Sequence, residues 1–347
     1  MAKHGIHIVG SVPLANAAQV FETLSAALGA GLRSLPDGET GPRIDWLPWM
    51  EPIFSENPAF EQTSETFAVH NRARVQQRYK LKAGVTATDV KFTNMPHSGF
   101  AMESWPVFAH LKKEGKIPPK VRYQYDFASL PSVIQRFVVQ AEQDAIAPLF
   151  EAALMGELEK ICAAIPHDQL AIQWDVASSI FYYLETGEAT RYGKTREEML
   201  KTFVDMHVRF GNRVPKDVEL MYHLCYGDAN HRHSVEPTDM RYLVDFANGV
   251  SAAIGRSIEV IHAPVPRNRT DDAYFAPLAR LKLRPETSFA LGLVHHTDGV
   301  EGTRARMTAA DKYLKDYMIG TECGFGRRDP ATLPKLMEIH AQAAGLR

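Results

Sequence analysis

Three short segments carry the residue types of a metal centre: His223-Leu224-Cys225, Val294-His295-His296 and Glu322-Cys323-Gly324. His223 and Cys225 stand two apart in a run from Glu219 whose apolar composition reads as a strand. Side chains at i and i+2 of a strand leave the same face, so an imidazole and a thiol emerge side by side, where one ion can take both. Cys323 ends a second strand-like run that starts at Tyr317 and offers a third soft donor. Three protein donors with a fourth position free describe a catalytic zinc rather than a structural one, so Zn2+ is the expected cofactor.

Further polar residues fall at or just beyond the ends of strand-like runs. Asp175 follows Gln173 and Trp174 and is either a capping carboxylate or a partner for a substrate ammonium or hydroxyl. Glu39 lies among the glycines and prolines between Leu35 and Arg43, so turn chemistry and a binding role are both open. Adjacent residues leaving a strand point opposite ways, so one of His295 and His296 faces the site. His262 ends another run and can be a fourth ligand, a general base or a satisfied polar group; Glu259 has the opposite parity and does not share its face. Arg327-Arg328 can hold an anionic group bidentately or sit in a solvated loop. His231-Arg232-His233 reads as solvated, and Cys162, inside a helical run, as an inert core thiol.

These residues need a frame that brings strand ends together. Strand patterns fall at 7–11, 32–36, 121–127, 171–176, 219–225, 257–262, 288–294 and 318–323, and helical periodicity at 17–28, 132–165, 197–209, 237–253, 276–281, 302–314 and 331–344. Asn16 is the expected N-cap of the first helix. Alternation of strand and helix over this length predicts a (β/α)8 TIM barrel forming one catalytic domain over residues 1–347, with its site at the C-terminal ends of the strands. Residues 40–120 are too long for a βα connection and read as a large insertion after the second strand, over the barrel mouth, with an extra strand at 90–94 and a helix near 67–82. Composition sets the remaining bounds. The 347 residues are 45% hydrophobic and 23% charged, with a net charge of −2 and no basic patch interleaved with aromatics, which argues against a nucleic-acid partner. No apolar run is long enough to span a membrane. The opening residues pass directly into a strand pattern without a secretory signal, and three cysteines fit metal ligation in a reducing cytoplasm better than disulfides.

Taken in order, the motifs resemble the catalytic barrel of cobalamin-independent methionine synthase and its relatives, including the zinc-dependent epoxyalkane:coenzyme M transferases. The resemblance rests on Val9-Gly-Ser-Val-Pro13, Gly38-Glu39 with Arg43, Gln173-Trp-Asp175, His223-Leu-Cys-Tyr226, His296-Thr-Asp-Gly-Val300 and Cys323-Gly324, and runs along nearly the whole chain. It implies zinc on His223, Cys225 and Cys323, the amino-acid end of a thiol substrate on Ser11, Glu39 and Asp175, and His296 as catalytic acid. Two departures accompany it. The synthase has a glutamate ligand where this chain has His262, and its Asp-Glu-Pro-Ala is here Asp175-Val-Ala-Ser178. The synthase's separate N-terminal half, which helps grip the folate, has no counterpart in the sequence, so full methionine synthase activity is not expected, and the insertion at 40–120 with the divergent loops points to another substrate. The expected reaction is attack of a metal-activated substrate thiol on a methyl group or epoxide. The alternative is a zinc-dependent lyase or hydrolase acting on a small oxygenated substrate without a thiol; His262 in place of glutamate would favour it by making the site more cationic.

Overall fold

The computed structural model describes residues 4–68, 75–229 and 232–346. Its strands are β1 (Ser34–Pro36), β2 (Phe60–Ala68), β3 (Val75–Leu81), β4 (Arg122–Ala128), β5 (Leu170–Val176), β6 (Glu219–Leu224), β7 (Val260–Pro264), β8 (Ser288–Val294) and β9 (Met318–Thr321). Seven of them form a parallel sheet in the order β1-β4-β5-β6-β7-β8-β9, while β2 and β3 pair as an antiparallel hairpin. Every residue of β5, β6 and β7 is buried, as near-continuous apolar runs covered on both faces require. Most connections are helical: α1 (Ala17–Leu28), α2 (Glu51–Ser55), α3 (His97–Lys113), α4 (Leu130–Phe137), α5 (Gln143–Ala164), α6 (Ser178–Thr186), α7 (Arg196–Gly211), α8 (Arg241–Ala253), α9 (Asp272–Phe275), α10 (Gly299–Ala310) and α11 (Leu333–Ala343). Asn16 caps α1 by accepting from the Gln19 amide. No helix among the described residues is long and apolar enough to cross a membrane.

The sheet is curled. Ile6 makes parallel bridges to Leu32, just before β1, and to Ile319 in β9, so one residue touches both edges. This differs from the expected eight full strands, because residues 7–11 do not form a ladder. The carbonyls of Ile8 and Val9 accept from the Gln124 side-chain amide at 3.1 and 3.2 Å, and Val9 also accepts from Gln173 at 2.6 Å. Side chains of β4 and β5 thus take bonds that a neighbouring strand would have made. The architecture is TIM-like, seen as a seven-stranded curled parallel sheet.

Three further expectations are corrected. Residues 75–81 form β3 rather than a helix, paired antiparallel with β2 from Phe60–Leu81 to Ala68–Val75; residues 69–74 of that expectation lie outside the described residues. Residues 90–94 are not a strand: the Lys91 carbonyl is taken by the Asn57 side chain at 3.0 Å, and Phe92 packs against Phe54, Phe60 and Phe150. The helix expected over 132–165 is two helices, α4 and α5, parted where Val138 is extended and the Val139 amide bonds the Tyr79 carbonyl at 3.0 Å. Helix α3 packs Phe108 edge-on against Phe21 of α1, so part of the 40–120 stretch is an ordinary helix of the fold.

The interior of the sheet is layered. Ala171, Met221, Val260, Ala290 and Met318 form an apolar cluster of their own at the base. Two residues further along β5, β6 and β7 stand Gln173, His223 and His262, all buried. One more step places Asp175 and Cys225 at the open end. Period-two alternation therefore carries the inner face from apolar floor to polar mouth.

Candidate metal centre

Ligand atoms of His223, Cys225 and Cys323 all lie within 4.8 Å of one another. The two sulfurs are 3.9 Å apart. Two Zn–S bonds of about 2.3 Å at a tetrahedral angle put sulfurs about 3.8 Å apart, so the pair has the spacing of two ligands on one ion. His223 Nε2 is buried with no hydrogen-bond partner, a state that costs about 1–3 kcal/mol unless a further group binds there. A donor set of two thiols and one imidazole, with a buried orphan nitrogen, fits zinc.

Local structure explains the convergence. Cys225 follows β6 directly, and its sulfur accepts from the Gly227 amide at 3.3 Å. Cys323 follows β9 on a tight loop threaded against Ser11. The Phe325 amide bonds the Ser11 carbonyl at 2.6 Å and the Gly326 amide bonds Ser11 Oγ at 3.3 Å. A Cβ at Gly324 would meet Ser11 Oγ at 2.4 Å, so only glycine allows this approach. A hydrogen bond from the Cys225 thiol, together with the nearby His223 ring and the charge of Arg327, holds Cys323 well below the usual thiol range; Cys225, the donor of that bond and buried, is pushed up.

The three donors border an open pocket that Ser11, Glu39, Trp46, Asp175, Asp228 and Arg327 also line. Asp175 Oδ1 accepts from Gln173 at 3.0 Å and Oδ2 from Trp46 Nε1 at 3.1 Å. Burial raises Asp175 to about 6 against the lowering influence of His223. Glu39 follows Gly38 in a left-handed turn, with φ of 46° at Glu39 and 81° at Gly38. That strained turn, held by the Glu39 amide on Asp37 Oδ1 at 2.9 Å, aims the carboxyl into the pocket. Burial, then the charges of Asp175 and Asp37, raise Glu39 to about 8 despite Arg43. Arg43 is itself committed to Asp37 at 2.7 Å and lies over the Phe100 ring.

The remaining candidates fall elsewhere. Arg327 lines the pocket as well, and its Nη2 donates to Asp228 Oδ2 at 2.9 Å and to Cys323 Sγ at 3.5 Å, which ties it to the loop that carries Cys323. His262 is fully buried and outside the group of three; its Nδ1 is 2.8 Å from His223 Nδ1. His296 is half-buried on the loop after β8 and does not line the pocket. His295 is buried and engages the Val265 carbonyl at 2.9 Å. His231 lies outside the described residues. His233 pairs with Glu322 at 2.9 Å and Glu236 at 3.1 Å; burial opposes its charge, but the two carboxylates win and hold it up to about 9. Cys162 is a buried thiol raised to about 12 by burial.

Three contributors were not singled out from the sequence. Asp126, near the end of β4, is raised well above the carboxylate range by burial and by Asp175 and Glu39. It shares a strand face with Gln124, so the parity that exposed His223 and Cys225 was available there. Asp228 anchors Arg327, and Trp46 reaches in from the 40–120 stretch; neither has a local pattern that announces it.

The sequence matches no protein-family model and none of the curated proteins. Three solved structures share the fold over the whole chain. A candidate vitamin-B12 independent methionine synthase from Listeria monocytogenes has a TM-score of 0.57 at 16% identity, covering 100% of this chain and 99% of that one. A B12-independent methionine synthase from Shewanella sp. W3-18-1, in complex with selenomethionine, has a TM-score of 0.57 at 13% identity, covering 100% and 98%. A methyltransferase from Methanosarcina mazei has a TM-score of 0.53 at 12% identity, covering 100% and 94%. The likeness is one of fold. The shared fold is the one that the sequence resemblance led us to expect, and none of the three is described as an epoxyalkane transferase.

Proposed function

We propose that this protein is a zinc-dependent methyl- or alkyltransferase that activates a substrate thiol for attack on an electrophilic carbon. The convergence of His223, Cys225 and Cys323 within 4.8 Å on one pocket carries the reading; the methionine synthase-like fold supports it. A bound zinc ion supplies positive charge that favours the thiolate form of an incoming thiol at neutral pH. The chain's own residues do the rest. Ser11, Glu39 and Asp175 orient the substrate's polar end. Glu39 keeps its proton near neutral pH, so it presents a hydrogen-bond donor to a substrate oxygen or carboxylate, whereas Asp175 is largely ionised at pH 7 and suits an ammonium. Trp46, reaching over the pocket, limits water at the reacting atoms. His296 lies off the lining, and acting as general acid would require the loop after β8 to move inward.

The lyase or hydrolase alternative draws on an open zinc site made more cationic by the missing glutamate, and that charge difference holds whether or not His262 is a ligand; a requirement for a thiol separates the two readings. The test is Cys225→Ser, which should abolish both bound zinc and thiol-dependent alkyl transfer. Full turnover by metal-free protein, or turnover without a thiol, would sink the proposal.

A further inference from the structure

We infer that His262 does not bind the metal but fixes the tautomer and orientation of the histidine that does. This rests on the zinc reading above.

The two imidazoles come from adjacent parallel strands, β6 and β7, at paired positions of the ladder. His223 is 2% exposed and His262 0%, so water does not compete for the contact between them. Their Nδ1 atoms are 2.8 Å apart. Two nitrogens bound to one zinc ion at about 2.0–2.1 Å and a tetrahedral angle would stand roughly 3.4 Å apart. The observed separation is that of a shared proton, N–H to lone pair. The sulfurs give the opposite result, since 3.9 Å suits a shared ion. His262 is also absent from the set of donors that lie within 4.8 Å of one another.

The proton's position follows from the metal's requirement. A neutral imidazole has one N–H and one lone pair. If His223 offers the lone pair of its unpartnered Nε2 to the ion, its proton is on Nδ1 and is donated to His262 Nδ1. The single lone pair of His262 is then consumed, and this ring has nothing left to give a metal. Its own proton lies on Nε2; the Thr321 carbonyl acts on the ring, although no acceptor meets full hydrogen-bond geometry with that nitrogen. Packing locks the arrangement. The buried His7 ring lies 5.2 Å from that of His262, and a Cβ at Gly320 would meet the His7 carbonyl at 2.7 Å and His262 Nε2 at 3.6 Å. Outer partners of this kind hold a ligating histidine in its binding tautomer, and their loss costs metal affinity about 10–100-fold.

Two substitutions separate orientation from ligation. In His262→Asn the amide oxygen takes the place of Nδ1 and still accepts from His223. In His262→Leu the acceptor is gone. Zinc K-edge absorption of the wild type should show two sulfurs and one imidazole nitrogen from the protein. A competitive chelator titration should find His262→Asn within a few-fold of wild type and His262→Leu weaker by about 10–100-fold, with stoichiometry kept at saturating zinc. Two imidazoles at the wild-type metal, or equal losses in the two variants, would overturn the inference and leave the transferase reading standing. A wild type that binds no zinc would instead remove that reading. If His262→Leu does not fold, the wild-type spectrum and His262→Asn still decide.

Discussion

Replacing Glu39 by glutamine should stabilise the metal-free protein increasingly as the pH rises from about 4.5 to about 8. An ordinary glutamate titrates near 4.5; burial, with Asp175 and Asp37 nearby, raises Glu39 to about 8. Below pH 4.5 the folded and unfolded chains both hold the proton, and stability is independent of pH. Between 4.5 and 8 the unfolded chain releases it while the folded chain keeps it, so stability falls as pH rises. Above 8 both are ionised and the loss is complete. At about 1.4 kcal/mol per pH unit, the displacement corresponds to at most about 5 kcal/mol. Glu39 is only half-buried, and solvent screening brings the expected figure to about 2–3 kcal/mol. Glutamine keeps the shape and hydrogen-bonding capacity but cannot ionise. Urea unfolding of both proteins at pH 5, 7 and 9, with thiols reduced, should therefore show Glu39→Gln level with wild type at pH 5 and ahead by about that amount at pH 9. A variant that gains as much at pH 5 as at pH 9, or nothing at either, would refute the account of a carboxyl held neutral by its surroundings.

Two other perturbations probe the walls of the pocket. Trp46→Phe deletes the 3.1 Å bond to Asp175 Oδ2, which favours the ionised carboxylate, so Asp175 should move up from about 6 by roughly one pH unit. The acid limb of the kcat/KM profile should follow, and an unmoved limb would remove Asp175 from the reacting complex. Gly326→Ala would place a Cβ 2.6 Å from the Ile44 carbonyl and 2.7 Å from Ser11 Oγ. The expected cost is about 1–3 kcal/mol, seen as a lower Tm together with weaker zinc retention, because the same loop carries Cys323. An unchanged Tm would mean that the loop yields freely.

Strand parity was the part of this site most open to sequence reading. His223 and Cys225 share a face because they are two apart, Cys323 lies two residues past the last strand, and the curl of the sheet makes such ends meet. Asp126 obeys the same rule, but no motif surrounds it to mark it out. Expectations failed where tertiary contacts override local pattern. Residues 7–11 read as a strand, yet the Gln124 and Gln173 side chains take their carbonyls. Val138 breaks a continuous helical periodicity because Tyr79 of β3, 59 positions earlier in the numbering, makes a parallel bridge to it. Neither partner is visible in a local window.

Position 262 shows why a resemblance in order of motifs does not fix the role of each residue. The resemblance implies a carboxylate ligand at the end of that strand; this chain has an imidazole whose nitrogen lies at proton-sharing distance from the neighbouring ligand. The difference is electrostatic as well as geometric. Two thiolates and a neutral imidazole supply a charge of about −2, which cancels a divalent cation, whereas an added carboxylate would leave the site anionic and its fourth position filled. With His262 behind His223, the proposed site keeps its open position without releasing a protein ligand, and an incoming thiolate meets a neutral centre rather than a negative one. Discrimination among substrates then falls to the pocket wall, where Glu39 with its proton and Asp175 near its titration point stand together. A substrate bearing both a hydrogen-bond-accepting oxygen and a cationic nitrogen satisfies both carboxyl groups. A simple alkyl thiol leaves them facing water, and selection against it should appear in KM before kcat.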